Sequence, residues 1–421
     1  MNPSTVFKKP KTWVLAFPFL CHLVLGAPEV LLMGMAMAGI WIWRQEHGSV
    51  QSFGPSREED PSERLVALGF VSVFAIKLLS MLWAESPREA LDNAFNHLHF
   101  LLWPALLPFL RKAQVSPLKS EPWIVVSMGL LMVWYLCAIY WFPSSEQAAC
   151  FAGGTGNCGL LGLTIAFFLF WLFVALTRPA ASSRRRVWLA LGMVAGWIAF
   201  VGTQRRTEML GLAVALLGVI AWRAAGQITK RRVAYMSLVM ALLFTASFQV
   251  LEPRFSMVEG EVAEYMQGGE ARTRSVQTSV GGRLEMYRVA FDAMAERPWL
   301  GWGAGIKPRD LPQFAHDPNN TLPYRNFHNQ YIQWALELGV IGLALLAVVG
   351  GFLLRAMVLS PRFVQRSEMV VLLLGLWFLY AWKALSFTSI GYGLFNAFFV
   401  FFTAWFWVDM TGREPMPVSN V

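Results

Sequence analysis

The sequence predicts an all-α polytopic membrane protein with about twelve transmembrane helices and one large polar loop on the outer side of the membrane. Its 421 residues are 56% hydrophobic and only 14% charged, a balance typical of membrane proteins. Many of the 19 Trp residues lie near the ends of apolar runs, as in interfacial aromatic belts. Basic loops on one side of the membrane account for the net charge of +9, so we expect no nucleic-acid partner.

Apolar runs long enough to cross a bilayer define the individual helices. The predicted spans are 13–26, 28–43, 65–83, 92–110, 123–142, 158–177, 187–203, 207–224, 233–250, 330–354, 368–386 and 390–409. The first span leads directly into the second, which favours an uncleaved hairpin over a signal peptide. We therefore divide the chain into residues 1–250 with nine spans, 251–329 as the large outer loop, and 330–421 with three spans and a cytoplasmic tail.

Basic residues concentrate in alternate loops, and this pattern fixes the expected orientation. They are Lys8, Lys9, Lys11, Arg111, Lys112, Lys119, Arg178, Arg184, Arg185, Arg186, Arg223, Lys230, Arg231, Arg232, Arg355, Arg362 and Arg366. Loops rich in Lys and Arg stay in the cytoplasm, so we expect both termini on that side. The remaining loops then face outward, and only the long one carries many basic residues.

The long outer loop contains one recognisable element. Apolar residues recur at helical spacing within 283–297, which predicts an amphipathic helix at the membrane interface that ends before Pro298. Residues 301–305 predict a tight glycine turn, and residues 265–281 are rich in small polar residues and predict a mobile stretch. Elsewhere on the outer side, Cys150 and Cys158 flank a short loop, where a disulfide and two free thiols are both open.

Four arginines on the outer side are candidates for binding an anion. Arg205 and Arg206 stand at the start of a predicted span, against the usual charge distribution, and guanidinium groups at a helix start suit phosphate. Snorkelling or a salt bridge with Glu208 would explain them equally well. For Arg283 and Arg288 the simpler interpretation is a solvated helix face paired with Glu285 and Asp292.

Three histidines and two lysines inside predicted spans complete the set of candidates. His328 ends the long loop beside Asn329, at the start of the tenth span, where an imidazole can exchange a proton with a polar substrate or simply cap the helix. His97 and His99 fall in the outer half of the fourth span and suit a polar cavity. Lys77 and Lys383 lie inside the third and eleventh predicted spans. A charge inside a span is costly and marks a functional site unless its side chain snorkels to the interface.

The sequence offers no recognisable cofactor motif. It contains no Walker A loop, no glycine-rich dinucleotide motif and no Cys/His metal spacing. The short outer loops carry few carboxylates, namely Glu85, Glu89 and Glu146. A divalent metal needs such oxygen ligands, so we expect chemistry without metal or cofactor, in which arginines take the role of the cation.

Three segments resemble the signatures of bacterial O-antigen ligases. His328-Asn329, followed after nine residues by Gly339 and Gly342, resembles their histidine signature. Arg206 and Leu210 resemble their signature of an arginine followed after three residues by leucine. The segment 282–303 resembles one that the ligases share with O-antigen polymerases and pilin oligosaccharyltransferases.

This resemblance implies twelve spans with a large periplasmic loop, similar to the C-type glycosyltransferase fold, in the bacterial inner membrane. It implies transfer of O-antigen polysaccharide from undecaprenyl pyrophosphate to lipid A-core on the periplasmic side, surrounded by membrane lipids and without ATP or metal. His328 would be the base, and Arg206 and Arg288, with Arg205, would hold the pyrophosphate. Arg283, Lys77, Lys383 and Asn329 would be secondary members of the site.

Three alternatives stay open at this point. A polymerase would use the same donor with a second lipid-linked glycan as acceptor, and a pilin-type enzyme would glycosylate a protein hydroxyl. A transporter or flippase would use Lys77 and Lys383 along a permeation path. The absence of a visible internal repeat in the sequence disfavours the transporter.

Overall fold

The computed structural model describes residues 10–47, 61–143, 150–178, 181–226, 257–316, 324–359 and 367–411, together with residue 245. Within these ranges the chain is helical, and no strand is present. The predicted ninth span, 233–250, lies outside the described residues apart from residue 245, as do several of the basic loop residues that set the expected orientation.

Fifteen helices in the described ranges are numbered here in chain order. They are α1 Pro10–Leu20, α2 Ala27–His47, α3 Pro61–Leu79, α4 Pro87–His97, α5 Leu102–Ala113, α6 Glu121–Trp141, α7 Cys158–Leu176, α8 Ser183–Gly202, α9 Arg206–Gly226, α10 257–267, α11 Gly269–Val276, α12 Ser279–Glu296, α13 Gln330–Leu359, α14 Ser367–Ala384 and α15 Gly393–Thr411. Short 3-10 turns connect several of them.

Seven stretches of the described chain are long and apolar enough to cross a membrane. They are Ser62–Trp83, Pro117–Trp141, Cys158–Leu176, Ser183–Gly202, Arg206–Ala225, Gln330–Val358 and Gly393–Thr411. These correspond to the predicted third, fifth, sixth, seventh, eighth, tenth and twelfth spans. The chain is thus a multi-pass membrane protein, and the figure of twelve spans stays a prediction.

Helix α7 forms the centre of the bundle. Every residue from Gly159 to Ala175 is buried, because α8, α9 and α14 pack around it. Aromatic rings join α7 to α15, with Trp171 and Phe406 at 5.2 Å between ring centroids and Phe167 and Phe402 at 5.3 Å. A helix that is apolar on all sides is expected at such a position.

Ion pairs surround the C-terminal end of α7. At its C-terminal end, Arg178 contacts Glu121 at 3.0 Å, and Arg223 contacts Glu368 at 3.1 Å. These arginines belong to loops that the sequence assigns to the cytoplasm. The 19 residues of α7 rise about 28 Å, close to the thickness of a bilayer core, so its other end lies near the opposite boundary.

The predicted fourth span is not one continuous helix. Helix α4 ends at His97, a 3-10 turn covers Leu98–Leu101, and α5 then begins at Leu102. The predicted span over 92–110 thus contains a 3-10 turn between two α-helices. Polar residues of α4, among them Asn93 and His97, line an interior cavity.

The long loop folds into a small helical layer with its own core. Tyr265, Met286, Val289 and Trp302 pack together with Phe327 and Leu336. The stretch 265–281, which the sequence predicts to be mobile, is largely helical, in α10, α11 and the start of α12. The predicted helix over 283–297 is confirmed as α12.

A kink in α13 joins this layer to the bundle. Gly339 adopts φ 60° and ψ −168°, a conformation open almost only to glycine. The break lets the turn after Pro298 bind the helix backbone: Val340 N donates to Pro298 O at 2.8 Å, and Trp302 N donates to Leu336 O at 2.7 Å. A Cβ on Gly339 would lie 2.3 Å from the Trp299 carbonyl oxygen, so no other side chain fits there.

Candidate functional site

Residues from four parts of the chain meet at the N-terminal end of α7. They are Arg205 before α9, Arg283 on α12, His328 before α13 and Lys383 near the end of α14. The side chains of Arg205 and Lys383 lie against glycines at the start of α7, since a Cβ on Gly162 would meet Arg205 and one on Gly159 would meet Lys383. The positive charges of Arg283, Arg205 and Lys383 all act on His328.

His328 is held as a neutral, half-buried imidazole. Its backbone has φ 49°, and its N–H donates to Asn326 Oδ1 at 3.0 Å. Its ring packs edge-on against Tyr324 at 5.9 Å and against Phe387 at 6.1 Å. Burial, followed by the charges of Arg283, Arg205 and Lys383, lowers the pKa of His328 to about 4. The imidazole is therefore uncharged at neutral pH and has a nitrogen lone pair available to accept a proton.

Asn329, and not His328, caps α13. Its Oδ1 accepts hydrogen bonds from Tyr331 N at 3.0 Å and Ile332 N at 3.1 Å, which satisfies two of the free N–H groups at the helix start. Its Nδ2 donates to Leu385 O at 3.1 Å. The alternative in which His328 simply caps the helix thus does not describe this structure, and Asn329 fixes the loop that carries His328 to the end of α14.

A disulfide supports Arg205. The structure joins Cys150 and Cys158, which decides between the two alternatives left by the sequence. One Arg205 guanidinium nitrogen lies 2.6 Å from Cys158 Sγ. Arg206 is the first residue of α9 and is half-buried, but it is not among the cations whose charge acts on His328.

The two arginines of α12 have different surroundings in the structure. Arg288 donates to Glu285 Oε1 at 2.6 Å, to Asp292 Oδ2 at 2.9 Å and to the Phe314 carbonyl at 2.7 Å, so ion pairing within the loop accounts for it. Arg283 is half-buried and makes no hydrogen bond or ion pair with any residue in the described ranges. Arg283 therefore acts on His328, whereas Arg288 holds the loop together.

Glu285 is the centre of this loop network. It also accepts a hydrogen bond from the Tyr265 hydroxyl at 2.8 Å and from His316 N at 2.8 Å. Burial would raise the pKa of Glu285, but the bonds from Arg288, His316 and Tyr265 outweigh it and lower the pKa to about 2. The carboxylate is thus ionised over the whole physiological range, and it keeps Arg288 in place.

Each buried lysine is paired with a carboxylate that the sequence had not assigned to it. Lys77 binds Glu337, and Lys383 binds Glu208, with all four side chains almost completely buried. Glu337 also accepts from Gly305 N and from Gln333 Nε2, each at 3.0 Å. One signal for Glu337 was available, because it is a carboxylate inside a predicted span and such residues nearly always have a partner.

The cationic end of the bundle suits an anion better than a metal ion. Its cations are supplied by side chains, and Glu208 is already engaged by Lys383. Over the part of the chain that the structure describes, no group of three or more His, Cys, Asp and Glu side chains is positioned to hold a metal ion. Guanidinium and ammonium groups around a neutral imidazole are the arrangement expected for a phosphate ligand with a nearby base.

The fold and the site together define a helical, multi-pass membrane protein with a cationic site at one end of its bundle. Residues 191–347 match the family model described as O-antigen ligase. This segment contains Arg205, Arg283 and His328. An uncharacterized protein of Haemophilus influenzae (strain ATCC 51907 / DSM 11121 / KW20 / Rd) is 21% identical over 316 residues, or 68% of this chain and 71% of its own length.

Proposed function

We propose that the protein is an O-antigen ligase, an inverting glycosyltransferase that needs no metal. It would transfer O-antigen polysaccharide from undecaprenyl pyrophosphate to lipid A-core. The observation that carries this proposal is the neutral His328 among Arg205, Arg283 and Lys383, within or beside the segment that matches the O-antigen ligase family. Both termini would be cytoplasmic, and the site would face the periplasm from the bacterial inner membrane.

The charge of the site fits the donor. A pyrophosphate brings negative charge to a place where Arg283 has no counter-ion among the described residues. Arg205, supported by the disulfide, and Lys383 approach from other helices, and Arg206 at the start of α9 is close in sequence. These groups would hold the donor and stabilise the charge that develops on the pyrophosphate as it leaves. Arg288 would act indirectly by keeping α12 folded.

Binding of the donor would also prepare the base. The pKa of His328, about 4, is lower than ideal for a general base at neutral pH. Because nearby negative charge favours a protonated imidazole, the pyrophosphate would offset the three cations and raise that pKa. The histidine would thus become a better proton acceptor only when the donor is in place.

The chemical step is a single displacement. A hydroxyl oxygen of the acceptor forms a bond to the anomeric carbon of the donor glycan while the bond from that carbon to the phosphate oxygen breaks. The proton of the hydroxyl moves to His328, and undecaprenyl pyrophosphate leaves with the bonding electron pair. Attack from the side opposite the leaving group inverts the anomeric configuration.

One alternative activity retains specific support. The segment 282–303 also resembles O-antigen polymerases, which use the same donor, so a polymerase is the second candidate. A pilin-type oligosaccharyltransferase differs only in its acceptor. The main argument for a transporter is weakened, because Lys77 and Lys383 each have a carboxylate partner within the protein, which accounts for their burial without a permeating ion.

Reconstitution with defined substrates tests this proposal. Purified protein in liposomes receives undecaprenyl-pyrophosphate glycan and lipid A-core in the presence of EDTA, and the products are separated by mass. Glycan attached to lipid A-core is the expected result. Elongation of the donor without a modified acceptor would identify a polymerase, glycan on an added pilin would identify the protein-modifying enzyme, and movement of intact donor across the bilayer would identify a flippase.

A further inference from the structure

A polar cavity lies beside the loop that carries His328. Its volume is about 160 Å³, room for about five water molecules and comparable with a single sugar ring. Helix α4 forms one wall, and the turns 305–307 and 388–392 and the first residues of α13 form the others. Arg205, Arg283 and Lys383 do not line it, so it is separate from the cationic site.

Four polar atoms in this cavity have no hydrogen-bond partner among the described residues. They are Glu89 Oε2, Asn93 Oδ1, His97 Nε2 and Thr388 Oγ1. His97 and Thr388 are only 1% and 3% exposed. Buried polar atoms are nearly always hydrogen-bonded to protein or water, so several unpartnered atoms around one space indicate a polar occupant, either ordered water or the hydroxyl groups of a ligand. The sequence prediction that His97 lines a polar cavity is confirmed.

The unpartnered atoms are mainly acceptors. His97 Nδ1 lies 2.7 Å from the Asn93 carbonyl and must donate to it, so in the neutral ring Nε2 presents a lone pair to the cavity. The carboxylate of Glu89 and the amide oxygen of Asn93 also accept. These atoms would repel a phosphate. The charges of the cavity lining balance, so it does not favour a free cation either; the charged residues are Lys77, Lys307, Arg325, Glu89, Asp92 and Glu337. A neutral ligand with several hydroxyl groups fits both conditions.

The cavity is positioned to serve the site of transfer. Asn326 and Gln330 line it, and His328 lies between them in the chain. Asn326 Oδ1 accepts from His328 N, and Asn326 Nδ2 donates to the Tyr392 hydroxyl at 3.1 Å. Phe387 links the cavity to the cationic site, because its ring packs against His328 and also stacks on Tyr392 at 5.2 Å between ring centroids.

We propose that this cavity binds one sugar ring of the acceptor glycan and so positions the attacking hydroxyl near His328. The inference rests on the proposed glycosyl transfer and adds the place of the acceptor to it. The donor pyrophosphate occupies the cationic side of the 324–330 loop, and the acceptor sugar occupies the side lined by amides and carboxylates. His97, Asn93 and Thr388 bind the hydroxyl groups of the ring.

Binding of two lipid-free glycans to the full-length protein in detergent tests the proposal without any transfer reaction. Saturation-transfer NMR measures the affinity for core oligosaccharide, the acceptor glycan, and for an O-antigen repeat, the donor glycan. In His97→Asn the amide can still donate to the Asn93 carbonyl, as Nδ1 does, but it is too short to place a polar atom where Nε2 lies. In His97→Gln the longer side chain places its amide at the Nε2 position. His22 supplies the control, because it is equally buried with an unpartnered Nε2 but does not line the cavity.

We expect His97→Asn to weaken the binding of core oligosaccharide roughly tenfold, His97→Gln to recover most of it, and His22→Asn to leave it unchanged. Thr388→Val, which preserves shape, should weaken it a few-fold. Equal binding by wild type, His97→Asn and Thr388→Val would overturn the proposal, as would loss of O-antigen-repeat binding alone. Core binding that depends on His97 in a protein with no transferase activity would keep this site and refute the proposed function.

Discussion

Replacement of Gly339 by Ala tests how the kink of α13 holds the loop layer to the bundle. The conformation at φ 60° and ψ −168° costs a residue with a side chain about 1–3 kcal/mol. The new Cβ would lie 2.3 Å from Trp299 O and 2.7 Å from Gly301 N, so the turn must move. Such a movement weakens the bonds from Val340 N to Pro298 O and from Ile341 N to Trp299 O, each worth about 1 kcal/mol. The total is about 3–5 kcal/mol.

Gly350 provides a matched control in the same helix. A Cβ there meets nothing within 4 Å, and its backbone is not in the left-handed region, so Gly350→Ala should be neutral or stabilise by about 0.5–1 kcal/mol. Unfolding is followed by tryptophan fluorescence during titration of SDS into mild-detergent micelles. Gly339→Ala should unfold at a clearly lower SDS fraction than Gly350→Ala. Equal midpoints for the two variants would refute the account of the kink.

Three further predictions concern pairs that the structure joins. The loop layer should lose stability as the pH falls from about 4.5 to about 2, because the pKa of Glu285 drops from 4.5 to about 2 on folding, which corresponds to about 3 kcal/mol. Hydrogen exchange of α12 measures this loss, and Glu285→Gln should abolish the pH dependence. Lys383→Met should cost about 3–5 kcal/mol in SDS unfolding, and adding Glu208→Gln should recover much of it, since an unpaired buried carboxylate is costly; no recovery would contradict the pairing. Reduction of the disulfide between Cys150 and Cys158 should lower stability by about 2.5 kcal/mol, and Cys158→Ser should make the protein insensitive to reductant.

Local sequence patterns predict most of the helices but not their breaks. Hydropathy places the central helix at 158–177, and the structure has it at Cys158–Leu176, because an apolar run of this length has few other stable states in a membrane. The break after His97 is less visible, since residues 92–110 are apolar enough to suggest one span. Pro104 and Pro108 in α5 were the available warning.

The members of the site that depend on tertiary contacts could not be read from the sequence. Arg283 and Arg288 are five residues apart on one helix and point in different directions, and only the packing of α12 decides which one acts on His328. The partners of Lys77 and Lys383 are 260 and 175 residues away in the chain. The sequence offers Arg205, Arg283 and Lys383 as candidates, but which of them lie near His328 follows from how the helices pack.

The central claim is that His328 accepts the proton of the acceptor hydroxyl at a site organised by Arg283. The most direct test is the single-turnover rate of glycan transfer from undecaprenyl pyrophosphate to lipid A-core, measured for wild type and His328→Ala together with donor binding. His316→Ala is the control, since His316 is an exposed histidine of the long loop. If His328 is the base, the rate should be about 10² to 10⁴ lower in His328→Ala with donor binding nearly unchanged, and normal in the control. Near-normal transfer by correctly folded His328→Ala would contradict it.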